Sequence, residues 1–567
     1  MAASLLSLSP ALNNYGMSQV CLHMHSGNLR KATTCFSVCL QNRKCNIKLY
    51  MIPMTAVTRH TVLRPFALVG SLEADVAGQE NHAISDVSAP NNFQRSKMSF
   101  EKELQELFDE VKRLIMMGNK SDAIDLLKAN YEAVKEQMNA GSQGIEEAAL
   151  LDIIALGYMA VGDLKFVGSL LAMLTEVVDS LKDNEPLVDV VLVHMGSLYS
   201  ALGKFEKSLL AYRRSIDILE NRHGKNSIFL ITPLLGMAKV LGNIGRSTKA
   251  VETYNHTISI LELSRGAESE DLVVVLFALG NLLLKEGRAA DAETHFVRIL
   301  TLYKKLYGEN DGRVGMAMCS LAHVKCAKGN PDEAIQLYKN ALQVIKDSNY
   351  MALDDGIMEK MRIDLAELLH VVGRGKEGRE MLEECLLIAE KHKGKEHPSS
   401  VTHLLNLAAS YSRSKNFVEA ERLLRTSLEI MRKTVGPDDQ SISFPMLHLA
   451  VTLYHLKQNE EAEQLALEVL RIREKAFGKD SLPVGEALDC LVSIQSGLGK
   501  DDGELLEVLK RIRSIQEKEF GHESEEVIET LKKIVYYLDK LGRKNEKLPL
   551  QKKLSVLRMK YKQRIQY

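Results

Sequence analysis

Residues 188–224 read VDVVLVHMGSLYSALGKFEKSLLAYRRSIDILENRHG, and the spacing within them decides the fold. Leu192, Met195, Gly196 and Tyr199 recur at helical spacing and mark one face of a first helix. Gly203 ends it, because glycine accepts the left-handed backbone that a helix C-terminus needs. Ser208, Tyr212 and Ser215 share a face of a second helix. Small residues at Gly196 and Ser208 let the two backbones approach, while Tyr199 and Tyr212 fill the space around that contact. The stretch predicts an antiparallel helical hairpin.

That hairpin returns at a steady interval. Gly203, Gly245, Gly287 and Gly329 are evenly spaced, and five positions after each stand Ser208, Ala250, Ala292 and Ala334. The beat continues through Gly373 with Gly378, Lys415 with Ala420, Lys457 with Ala462, Gly499 with Glu504 and Gly542 with Lys547. Upstream it reaches Gly162, and Gly118 with Ala123. A period of about 42 residues is the mark of stacked helical hairpins. Second helices also close on glycine segments, among them GENDGRV from Gly308, GKEHPSSV from Gly394, GPDDQSI from Gly436 and GKDSLPV from Gly478. The segment from Asp347 to Gly356 lacks such a glycine, and the next unit starts two positions late, which predicts a local irregularity.

The pattern of an LG…Y helix followed by small and aromatic positions resembles the tetratricopeptide repeat. The long period, the closing glycine segments, NLAASY at Asn406–Tyr411 and the AERLLR run from Ala420 are similar to the kinesin light chain type of that repeat. The resemblance implies an all-α fold, a right-handed α-solenoid of about ten to eleven antiparallel hairpins between about residues 100 and 545. The expected division is an address segment over 1–72, a disordered linker over 73–98, degenerate repeats over 99–187, the main array over 188–545 and a basic capping helix over 546–567. In such arrays the first helix of each hairpin lines a concave groove that holds protein or peptide partners. The register places His194, Ser197, Lys239, Asn243, Asn281 and Lys285 there, followed by Ser320, His323, Asp364, Glu367, His370, Asn406, Arg413, His448 and His455. Asn406 falls where the similar repeats keep an asparagine that grips a peptide backbone.

Charge divides the chain. Residues 1–72 hold seven Lys or Arg and no acid, and no Lys, Arg, Asp or Glu precedes Arg30. Acid-poor, Ser-rich, Arg-bearing N-termini have the composition of organelle transit peptides. The uncharged start favours the chloroplast, stromal or peripherally thylakoid-associated, with the mitochondrion as the alternative. Without that segment the chain has 66 basic and 74 acidic residues, a formal charge of −8. A mildly acidic body excludes nucleic-acid binding by bulk electrostatics. The longest apolar run extends only from Leu272 to Leu284. That is too short for a bilayer, which a helix spans with about 20 residues.

Chemistry-bearing motifs reduce to repeat furniture. Gly373, Gly375 and Gly378 spell GxGxxG, but a helix precedes them where a dinucleotide site requires a strand. Cys319 and Cys326 lie seven apart within a helical pattern, and His392 and His397 flank a turn without further ligands. No nucleophile–base constellation can be assembled, so the expectation is a chain that is not an enzyme, with no cofactor, no metal and no small-molecule substrate. The C-terminus has nine Lys or Arg between Arg543 and Tyr567 and one acid, Glu546, with Leu550, Leu554, Leu557, Tyr561 and Ile565 at helical spacing. It reads as a helix sealing the array, with contact to anionic lipid or RNA as the alternative. The functional expectation is a partner-binding scaffold in the chloroplast, serving photosynthetic complex assembly, chloroplast development or plastid gene expression. The alternatives are an RNA-binding helical-repeat protein of the plastid and a cytosolic kinesin-light-chain-like adaptor.

Overall fold

A computed structural model describes residues 92–141 and 143–565. Every regular element among them is helical: twenty-two α-helices, packed in consecutive pairs, and two short 3-10 turns. Two compact units meet in sequence between Glu309 and Asn310. Unit 1 holds α1 (Asn92–Met116), α2 (Lys120–Asn139), α3 (Ile145–Val161), α4 (Leu164–Ser180), α5 (Val188–Ala201), α6 (Phe205–His223), α7 (Ile231–Asn243), α8 (Ser247–Arg265), α9 (Leu272–Lys285) and α10 (Ala289–Tyr307). Unit 2 opens with α11 (Gly312–Ala327), α12 (Pro331–Asp347), α13 (Gly356–Val371), α14 (Gly375–Lys393), α15 (Ser400–Arg413) and α16 (Phe417–Val435). It continues through α17 (Ser443–His455), α18 (Asn459–Phe477), α19 (Leu482–Gly497), α20 (Asp502–Phe520), α21 (Glu525–Lys540) and α22 (Lys544–Ile565). Odd-numbered helices are the first of each hairpin and even-numbered ones the second.

The small residues of the repeat lie where the hairpins touch. Ser208, Ala250 and Ala292 in unit 1, and Ala334, Ala420 and Ala462 in unit 2, have no exposed surface. Ser208 donates from Oγ to the Gly196 carbonyl at 2.6 Å, which ties the two helices of its hairpin at their closest approach. Gly378 holds the same place against α13. A Cβ there would sit 2.7 Å from the Ala366 carbonyl oxygen, so packing alone accounts for the third glycine of the GxGxxG match. The beat slips at one point. After Gly499 the second helix starts one position later than elsewhere, capped by Asp501, so Leu505 is buried and Glu504 faces water.

Turn glycines are replaced twice. Lys415 and Lys457 take the glycine position with φ of 61° and 68°, while Asn349 (φ 47°) serves the unit that lacks a closing glycine. Both carry a Cβ that crowds the next carbonyl, but the short amide of asparagine offsets the cost by local hydrogen bonding and the lysine side chain does not. Lys457 is exposed, and its N–H still closes the turn onto the Tyr454 carbonyl at 3.1 Å. Lys457→Gly should therefore stabilise unit 2 by about 0.5–1 kcal/mol, the relief of crowding outweighing the freer unfolded glycine. A lower melting temperature for this variant would contradict the assignment.

Residues 1–91, with the expected address segment and most of the expected linker, lie outside the described residues. The segment read as linker to residue 98 is helical from Asn92. Continuation of α1 accounts for this, since Leu104, Phe108 and Val111 anchor it in the unit 1 core. The basic C-terminal segment is the second helix of the last hairpin and begins at Lys544. Leu554 and Leu557 are buried against Val527, Ile528 and Leu531 of α21, with Leu550 packed beside them. The side chains of Tyr561 and Ile565 lie outside those described. No helix among the described residues is long and apolar enough to cross a membrane.

Candidate partner-binding face on the first helices

Within each unit the first helices of neighbouring hairpins join through their side chains, and those joints decide which predicted residues are free to meet a partner. In unit 1, His194 of α5 is buried, its Nδ1 2.5 Å from Oδ2 of Asp152 on α3. Ser197 is half-buried and hydrogen-bonds the Tyr212 hydroxyl at 2.8 Å. Lys239 and Asn243 on α7 and Lys285 on α9 are at least partly open to water. Asn281 is half-buried, and its Oδ1 has no hydrogen-bond donor. The unit 1 face therefore offers two lysines and two amides, with the histidine turned inward as a support.

Unit 2 gathers more of the predicted residues into one electrostatic group. Ser320 and His323 are buried in α11. Ser320 Oγ donates to the Met316 carbonyl at 3.1 Å, and His323 Nδ1–H points at the Cys319 carbonyl at 2.9 Å. This leaves His323 Nε2 facing Asp364 Oδ2 of α13 at 3.6 Å. Lys360, one turn earlier on α13, binds the other Asp364 oxygen at 2.5 Å. Glu367 reaches water but stands among dense neighbours, and that desolvation raises its carboxyl above the ordinary value. Asp364 adds to the rise, while Lys360 and Arg413 oppose it.

Arg413, at the C-terminal end of α15, is the hub. Burial lowers its own proton affinity and Glu367 restores part of it. Its charge also reaches two histidines. His370 on α13 and His448 on α17 are each held down to about 4, first by burial and then by Arg413. His448 is buried, with its Nε2 3.2 Å from Ser412 Oγ. His455 is half-buried, stacks on Phe417 at 4.3 Å between ring centres and is likewise lowered by burial. Asn406 is half-buried on α15. His370 and His448 are thus neutral at neutral pH. The charges of this face are Lys360 and Arg413 against Asp364 and Glu367.

Three members were not anticipated from sequence. Asp152 sits on α3, which is buried on nearly every side. Lys360 could have been found, because it stands four positions before Asp364 on one helix face. Asp489 on α19 pairs with Lys533 on α21 at 2.5 Å, largely shielded from water. Cys490 beside Asp489 has its thiol pushed up to about 12 by burial, which makes it inert rather than nucleophilic. Among the described residues no group of three His, Cys, Asp or Glu is placed to hold a metal ion.

Repeat-family profiles match the hairpins in sequence. The tetratricopeptide repeat profile matches residues 187–263, 271–347 and 358–433, and a second tetratricopeptide repeat profile matches 446–482. Among solved structures, the putative kinesin light chain TPR-like repeats of Podosopora anserina are 21% identical, with 36% of this chain and 96% of that one covered at a TM-score of 0.33. BtubC (BKLC) from P. vanneervenii is 18% identical over 40% of this chain and 92% of its own, with a TM-score of 0.33. The apo form of the quorum sensor NprR from B. thuringiensis is 12% identical over 66% and 99%, with a TM-score of 0.38. No curated protein matches the chain. The hairpins from α5/α6 through α17/α18 are tetratricopeptide repeats.

Proposed function

We propose that the chain is a non-catalytic scaffold that gathers protein partners along the first-helix face, with its principal contact around Arg413. The observation that carries this reading is the balanced cluster on α13, α15 and α17. Lys360, Asp364, Glu367 and Arg413 present donors and acceptors side by side, flanked by neutral His370 and by Asn406. A peptide backbone and its polar side chains need this mixture. A phosphate backbone needs an excess of cations, which on the first-helix face Lys239 and Lys285 of unit 1 come nearest to supplying. His194, Ser320, His323 and His448 hold the face in shape from behind, and the half-buried and exposed positions meet the partner.

The place of action proposed is the chloroplast, in assembly of photosynthetic complexes, chloroplast development or plastid gene expression. That address rests on the composition of residues 1–72. A fluorescent protein fused behind residues 1–90 should enter plastids. A mitochondrial signal would move the scaffold there, and a diffuse cytosolic signal would favour a kinesin-light-chain-like adaptor.

Partner class is tested on purified tagged protein. Protein partners should stay bound after nuclease treatment and raised salt. Loss to nuclease, with steep salt dependence, would instead establish RNA binding. Lys239→Glu with Lys285→Glu changes side chains that reach water and should weaken a partner that extends over unit 1. Arg413→Glu should release a partner held by unit 2, with recovery falling roughly tenfold or more. Undiminished recovery in both variants would remove the site from the first-helix face.

A further inference from the structure

The last helix carries a second face that the array does not use. At about 100° per residue, α22 divides into two halves. The inner half holds buried Leu554 and Leu557 with partly buried Leu550, and three of its cations are matched. Lys547 pairs with Asp539 at 2.5 Å, Lys553 with Glu517 at 3.5 Å and Lys560 with Glu523 at 2.7 Å. The outer half holds Leu548, Val556 and Met559, which are 57%, 49% and 60% exposed. Between and beside them stand Lys544 and Lys552, with no carboxylate partner among the described residues and no acid on that half, while exposed Arg558 lies towards the edge of the inner half. A helix that only sealed the repeat stack would have a polar outer face of mixed sign.

We propose that this outer face of α22 docks the protein on an anionic lipid surface. The chemistry is that of an interfacial helix, in which aliphatic side chains enter the headgroup boundary and flanking cations meet lipid phosphates. Charge argues for this occupant, since Lys544 and Lys552 have no carboxylate partner among the described residues and share their half with no acid, on a body of formal charge −8. The aliphatic character of Leu548, Val556 and Met559 favours lipid over single-stranded RNA, whose bases want aromatic platforms. It does not depend on the groove reading, because α22 lies on the second-helix side of the last hairpin.

The test is co-sedimentation of the full chain with vesicles of phosphatidylcholine alone, or of phosphatidylcholine mixed with phosphatidylglycerol. Binding is expected only with the anionic mixture and should fade as salt is raised. Lys544→Glu with Lys552→Glu should lower the partition coefficient roughly tenfold or more. Leu548→Ser with Met559→Ser should lower it comparably, and both variants should melt as the parent does because these side chains are exposed. Absence of binding to the anionic vesicles would overturn the proposal, as would equal binding by parent and both variants, which would place the contact elsewhere. Self-association dissolved by Leu548→Ser with Met559→Ser, without vesicle binding, would overturn it in favour of a second copy. Capture of an RNA oligonucleotide in preference to vesicles would likewise overturn it.

Discussion

Tyr212→Ala should cost unit 1 about 3–5 kcal/mol, the usual loss on deleting a fully packed aromatic side chain. The ring is buried between two glycines on successive first helices. A Cβ on Gly196 would come within 2.8 Å of it, and one on Gly236 within 2.3 Å. One side chain on α6 therefore locks α5 and α7 together, and neither backbone can move in to fill the gap. Its hydroxyl meets Ser197 Oγ at 2.8 Å, and burial pushes that hydroxyl up to about 12. Tyr212→Phe should cost only about 0.5–1.5 kcal/mol, because Ser197 still donates to the Val193 carbonyl at 3.2 Å. A repeat array does not unfold in one step, so amide hydrogen exchange across α5 to α8 is the appropriate measurement. Tyr212→Ala should speed exchange there by about 150- to 5,000-fold and leave α15 to α18 as they were. Similar exchange rates for the alanine and phenylalanine variants would refute the packing.

Most of this lock was legible in the sequence. Glycine, small residue and tyrosine recur because the distance between two helices is set by the smallest residue at their crossing, and composition reveals that directly. Lys415 and Lys457 could be placed in the turn because the small residue five positions on, Ala420 or Ala462, kept the beat. The face was less legible. Periodicity says which side of α5 carries His194, but it does not say that a carboxylate one repeat earlier, on α3, reaches that ring. Likewise Glu367, Arg413 and His448 were each placed on a first helix, but their mutual influence depends on how far each side chain extends across the gap. Such pairing is a property of neighbouring hairpins, and the single-hairpin pattern does not contain it. The unpaired half of α22 was hidden for the same reason, since a count of nine basic residues does not distinguish matched from unmatched ones.

Asp152→Ala should destabilise unit 1 by about 3–5 kcal/mol, the range for removing one member of a buried pair. His194 would keep its buried position and lose its hydrogen-bonding partner on α3. Asp152→Asn should stay within about 1.5 kcal/mol of the parent near neutral pH, because the amide replaces the carboxylate as a hydrogen-bonding partner without a charge. Acidity separates the two. Burial is the largest influence on Asp152 and raises its carboxyl, while the charge of His194 and the hydrogen bond to it act in the opposite direction. A carboxyl whose folded value exceeds its unfolded value of about 4 binds its proton more tightly in the native state. Its contribution to stability is complete below that unfolded value and is lost as pH rises through the folded one. Asp152→Asn lacks this loss, so it should gain on the parent as pH climbs from about 4 towards 8. The other carboxylates are common to both proteins and cancel in the difference, which belongs to the pair rather than to either residue. Denaturant midpoints of the two proteins across that range provide the check. Parallel curves would mean that the pair folds with no net change in proton binding, and Asp152 would then be a structural acceptor for His194 and nothing more.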